Sequence, residues 1–153
     1  MKKWIKLGLI IIWVMIIFMF SNQDGNKSTN TSDGFLLKVV NVLHLNKDSL
    51  KDDELISKYT VLVRKGAHFS AYFVLGILVY SYLAEFMDRK LKLVLFTILI
   101  CMVLASFDEV HQYFIPGRSA RVFDVFVDTC GASLACGLTV LGGFLKNKLI
   151  KVK

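Results

Sequence analysis

Four long apolar runs, at residues 4–20, 66–86, 91–107 and 125–145, restrict this chain more than any other feature. Each is close to the length a helix needs to cross a bilayer's hydrocarbon core, roughly 20 residues rising about 1.5 Å apiece. Charge inside them is confined to the ends, as at Lys6, Glu85 and Lys92. With 55% hydrophobic residues and a mean hydropathy of +0.56, the chain is too apolar for a soluble domain of its size. The expected fold is therefore all-α, one integral membrane bundle of four transmembrane helices over residues 1–153. The first run follows Lys2, Lys3 and Lys6 as a secretory signal would, but "FMFSNQDG" after it lacks a small-x-small cleavage pattern, so it reads as a retained helix.

The formal net charge of +7 does not point to nucleic acid, because the basic residues flank the spans and form no single patch. Lys2, Lys3 and Lys6 open the chain, Arg89, Lys90 and Lys92 fill the link between the second and third runs, and Lys146, Lys148, Lys151 and Lys153 close it. By the positive-inside tendency both termini and that link are expected in the cytoplasm, with residues 21–64 and the link before the fourth span outside. Cys101, Cys130 and Cys136 all fall within the spans, without metal spacing, and read as small packing residues.

Between the first two spans, "SNQDGNKSTNTSDG" is a polar, turn-rich connector. Residues 35–45, "FLLKVVNVLHL", place Phe35, Val39, Val42 and Leu43 on one face, the pattern of a short amphipathic helix at the interface. Ser49 followed by Asp52, Asp53 and Glu54 signals a helix start that runs on into span two. Pro116 and Gly117 suit the two central positions of a type II turn joining spans three and four.

This antiparallel topology gathers polar residues at one depth: Arg64, Lys65, His68 and Tyr72 from span two, Asp108, Glu109, His111 and Gln112 from span three, Arg118 and Arg121 from the turn, and Asp124 and Asp128 from span four. Residues three or four apart share a helix face. Lys65, His68, Tyr72 and Gly76 form one such stripe. Asp124, Asp128, Gly131, Ala135 and Thr139 form another, whose small members permit close helix approach and so mark the inward side. In span three Ala105, Asp108, Glu109 and Gln112 continue the pattern. An ionisable group at mid-membrane costs about 2.5 to 3.5 kcal/mol on insertion scales, less near the interface, and turns toward partners or a polar cavity. The expectation is an outer-leaflet polar pocket built by spans two, three and four.

The segments "RKGAHFSAYFVLG", "SFDEVHQYFIPGRSARVFDVFVDTCGA" and "FSNQ" resemble the VanZ-like membrane proteins. The shared pattern is Lys-x-x-His-Phe, Asp-Glu-x-x-Gln, a Pro-Gly-Arg turn and two Asp four apart. Carried onto this chain, it picks out Lys65, His68, Asp108, Glu109, Gln112, Arg118, Asp124 and Asp128; His111 and Arg121 fit it less closely. The resemblance implies a bacterial plasma-membrane protein of a family linked to low-level resistance to glycopeptides such as teicoplanin, and it supplies no mechanism.

Two functions suit the cluster. In the first, Lys65, His68, Gln112, Arg118 and Arg121 bind the anionic group of an envelope lipid or lipid-linked cell-wall precursor through charge-assisted bonds. In the second, His68, Asp108, Glu109, Asp124 and Asp128 serve a membrane-embedded hydrolase or transferase acting on such a lipid. No nucleophile motif supports catalysis, since Ser106 and Ser119 lack a diagnostic context. The carboxylates and His68 also resemble a divalent-metal set, but the adjacent Lys and Arg compete as counter-charges, so no metal or other cofactor is expected. A plainer alternative has the charges only clamping helix ends, with Arg118 or Arg121 holding Asp124 or Asp128. Membrane lipids are the expected partners, and the pattern sets no oligomeric state.

Overall fold

A computed structural model of the chain describes residues 2–23, 32, 34–35, 53–118 and 120–151. These contain four long helices: α1, Lys2–Ser21; α2, Asp53–Leu83; α3, Lys90–Tyr113; and α4, Val122–Lys151. All four are long and apolar enough to cross a membrane. The physical reason is common to them: without water, every backbone N–H and C=O must find its partner inside the segment, and a helix does this locally. Hydroxyls buried among apolar groups follow the same rule, as Thr97 and Thr139 each donate to the carbonyl four residues earlier, at 2.8 Å.

The helices outrun the apolar runs that announce them. α3 continues through Asp108, Glu109 and Gln112 to Tyr113, so these polar residues ride on its last two turns. Phe114 follows as its C-cap. The turn beyond is as expected: Arg118 N–H donates to Ile115 O at 3.1 Å, and Gly117 has φ 74°, a value an L side chain adopts only with strain. α2 begins at Asp53, so residues 53–64 lead helically into its span. Of the expected amphipathic helix at 35–45, only Phe35 lies among the described residues, and the start signal at Ser49 lies outside them.

Contacts fix the directions. Lys6, in the first turns of α1, meets Ser81 O and Glu85 at the end of α2, whereas Ser21, at the end of α1, meets Asp108 near the end of α3. Thus α1 and α3 run one way and α2 and α4 the other. α2 packs most extensively against α4. One core cluster joins Ile17, Tyr72, Leu75, Val79, Cys101, Ala105 and Ala132; a second, further from the polar end, joins Tyr80, Leu93 and Cys136. Outward faces keep large apolar side chains exposed, among them Ile12, Leu95, Phe126, Leu138 and Leu141, as a lipid-facing surface requires.

The α2–α4 seam is closest at Gly131. A Cβ placed there would lie 2.3 Å from Phe69 O, and one on Gly76 would lie 3.0 Å from Ala132 Cα. Only glycine at 131 lets the two backbones come this near, which swings Asp128 and Asp124, one and two turns up the same stripe, toward α2.

Candidate functional site

The polar end of the bundle carries two adjoining networks. The first ties α1 to α3 and to the turn after it. Ser21 Oγ donates to Asp108 Oδ2 at 2.7 Å, and Gln112 Nε2 donates to the same oxygen at 2.8 Å. The far side of the Gln112 amide then accepts from Arg118 Nη1 at 2.6 Å, and Arg118 Nη2 reaches Phe20 O at 3.4 Å. Asp108 and Gln112 are one turn apart, so the helix itself presents both to α1. Asp108 is only 1% exposed.

The second network is a small notch between α2, α3 and α4, with a volume of about 10 Å³ and a lining that includes Arg64, Lys65, His68, Glu109, Asp124 and Asp128. Lys65 forms an ion pair with Asp124 while its ammonium lies 4.5 Å from the centre of the Phe123 ring, an additional cation–π attraction. His68 Nδ1 faces Asp128 Oδ2 at 3.7 Å. Glu109 Oε1 accepts the backbone N–H of Arg121 at 2.6 Å, which anchors the start of α4 to α3. The clamps around Asp124 and Asp128 therefore include links from α2 to α4, where the expectation placed them between α4 and the turn; the close seam at Gly131 is the reason.

Satisfaction is incomplete. Among the described residues, Asp108 Oδ1 and Asp128 Oδ1 are buried without a hydrogen-bond partner, and Asp128 is only 2% exposed. Buried carboxylate oxygens are costly to leave unpaired.

Of the residues singled out from sequence, Lys65, His68, Glu109, Gln112, Asp124 and Asp128 line the notch. Asp108 and Arg118 sit in the adjoining network, and Arg121 meets Glu109 through its backbone. His111 turns instead toward α1, stacking on Phe18 with ring centres 5.9 Å apart. The pocket was expected from three spans, and α2, α3 and α4 line the notch; α1 joins the adjoining network through Ser21, which was read as the first connector residue but is the last residue of α1 and is 1% exposed. Its sequence signal is slight, a single hydroxyl where an apolar run ends. Among the described residues no three of His, Cys, Asp and Glu converge closely enough to hold a metal ion.

The model of the VanZ/LLP1 family matches residues 6–144, nearly the whole chain and every residue of both networks. The chain belongs to the VanZ/LLP1 family. No curated protein and no solved structure matches it. Four apolar helices in a VanZ-like chain make this a multi-pass membrane protein. In this VanZ-like bundle the buried carboxylates Asp108, Glu109 and Asp128 gather at the polar end, and the far end holds only the Lys6–Glu85 pair among the described salt bridges.

Proposed function

We propose that this VanZ-like protein sits in the bacterial plasma membrane with both termini in the cytoplasm, and that its notch binds an envelope lipid or lipid-linked cell-wall precursor through an anionic phosphate. Such binding would contribute to glycopeptide (teicoplanin) resistance by obstructing the drug or altering the surroundings of its target. The observation that carries this reading is Arg64, which lines the notch beside Lys65 and makes no salt bridge among the described residues. A cation left over at the mouth of a polar notch suits an anionic oxygen from outside the chain. Basic flanks at the other end of the bundle support the orientation.

The test is native mass spectrometry of the detergent-purified protein, wild type beside Arg64→Ala and His68→Ala. A phosphate-bearing lipid retained by wild type and lost from both folded variants supports the reading; no retained lipid in a folded wild type sinks it. Teicoplanin susceptibility of cells expressing the same variants then checks the link to resistance.

A second reading, a hydrolase or transferase acting on the same lipid, rests on the facing of His68 and Asp128, the relation of a general base to the carboxylate that orients it. Ser106 does not complete it, because its hydroxyl donates to Met102 O at 2.8 Å on an exposed face. Headgroup release from a retained lipid during incubation would favour catalysis over binding.

A further inference from the structure

The notch is lined by side chains of both signs. Its cations are Arg64, Lys65 and, when protonated, His68; its carboxylates are Glu109, Asp124 and Asp128. Lys65 takes Asp124, and His68 faces one oxygen of Asp128. Glu109 is held by a neutral backbone N–H, and the other Asp128 oxygen is buried with no hydrogen-bond partner. What the notch offers an incoming group is thus two-sided: a guanidinium from α2, and across from it carboxylate acceptors from α3 and α4.

Size narrows the acceptor side. A volume of about 10 Å³ holds about one water-sized group. A primary ammonium is of that size and brings three N–H donors; a trimethylammonium is several times larger and brings none. We propose that the ligand of the notch carries a primary ammonium beside its phosphate, the ammonium seated against Asp128 Oδ1 and Glu109 and the phosphate at Arg64. This rests on the reading that the notch binds a phosphate-bearing lipid, and it specifies the rest of the headgroup.

The geometry explains why Asp128 keeps a bare oxygen in an otherwise well-packed seam. The ammonium converts that oxygen from an unpaired buried acceptor into one end of a charge-assisted bond. It also explains the mixture of signs, since a site for phosphate alone is disfavoured by Glu109 and Asp128 at the same depth.

The experiment offers the full-length protein in detergent three short-chain lipids with identical tails, phosphatidylethanolamine, phosphatidylglycerol and phosphatidylcholine, and measures retention by native mass spectrometry. The expected result is phosphatidylethanolamine held on the order of tenfold more tightly than either of the others, with retention falling on stepwise N-methylation. The ligand series needs no variant, so a misfolded mutant cannot obscure it. Asp128→Asn, close in shape, is expected to bring the ethanolamine-to-glycerol ratio near one, whereas Arg64→Ala lowers retention of all three lipids together. Soluble phosphoethanolamine displacing the lipid where glycerol phosphate does not would place recognition in the headgroup and support the proposal; equal displacement by both would count against it. Equal or greater retention of phosphatidylglycerol by wild type overturns the ammonium site and leaves the phosphate reading standing. Retention of none of the three overturns the ammonium site, and if the folded wild type also co-purifies with no phosphate-bearing lipid the phosphate reading falls with it.

Discussion

α4 and α1 both dock against α2, by different physical means. α4 comes so near at Gly131 that an added Cβ would lie 2.3 Å from Phe69 O, and behind it Ala132, Ala135 and Cys136 are almost fully buried. α1 buries only Ile17 and Ser21 and is fastened by side-chain donors: Lys6 to Ser81 O at 2.9 Å, Trp13 Nε1 to Ala71 O at 2.9 Å, and Ser21 to Asp108. Lipid is as apolar as leucine, so helices gain little from merely touching there; close backbone packing and polar bonds are the two remaining sources of adhesion. In this bundle α4 combines close backbone packing with ion pairs at its start, whereas α1 relies on polar bonds. The notch lies on the tightly packed side, which holds its charged groups in register, and α1 closes the neighbouring network.

Substitutions can break this contrast, and the largest effect is expected at the seam. Gly131→Ala puts a methyl group against the Phe69 carbonyl, a backbone atom that cannot swing aside, and should cost about 2 to 3 kcal/mol of bundle stability in reversible unfolding by mixed detergent micelles. If Gly131→Ala unfolds as wild type does, α2 and α4 are not in backbone contact.

A smaller loss, about 1 kcal/mol, is expected for Lys65→Ala, which leaves Asp124 without its ion-pair partner at a site still partly open to solvent, the Asp124 side chain being 18% exposed. A double-mutant cycle with Asp124→Ala isolates the pair, and absence of coupling would remove it from the seam. On the α1 side, Trp13→Phe deletes one interhelical bond and Ser21→Ala deletes two, the one it donates to Asp108 and the longer one it accepts from Gln112, of the kind that averages about 0.6 kcal/mol in membranes. Their effects should add, and a cysteine placed on α1 should gain accessibility to a soluble thiol reagent while one on α4 does not.

The smallest effect is a pH dependence outside the membrane. The Lys6 ammonium bonded to Glu85 lowers the Glu85 pKa from its ordinary value of 4.5. Because the folded value is the lower one, the pair's contribution is fully present above 4.5 and is lost as pH falls through the folded value. Wild type minus Glu85→Gln stability, followed from neutral pH into acid, should shrink in that window. A difference that grows there would reverse the assignment.

Particular residues show how much was legible beforehand. The stripe Asp124, Asp128, Gly131, Ala135 was readable because helical periodicity fixes which side chains share a face, and the Pro116–Gly117 turn because its φ requirements are local. The helix ends were less so: hydrophobicity stops near residue 107, yet backbone hydrogen bonding carries α3 on to Tyr113, in line with the stripe Ala105, Asp108, Glu109 and Gln112. Ser21 was given no role because the segment FSNQ, although part of the family resemblance, does not tell a connector serine from one buried against a carboxylate 87 positions away.

The sequence by itself determined four membrane helices, their alternating directions, their inward stripes and the end at which charge collects, since each follows from length, period and local turn chemistry. Only the tertiary structure decided that α1 joins the polar end, that Asp124 takes Lys65 while Asp128 keeps a bare oxygen, and that the notch is the size of one small group. Those depend on the rotation and depth of one helix against another, which close packing at Gly131 and Gly76 sets and no single helix encodes.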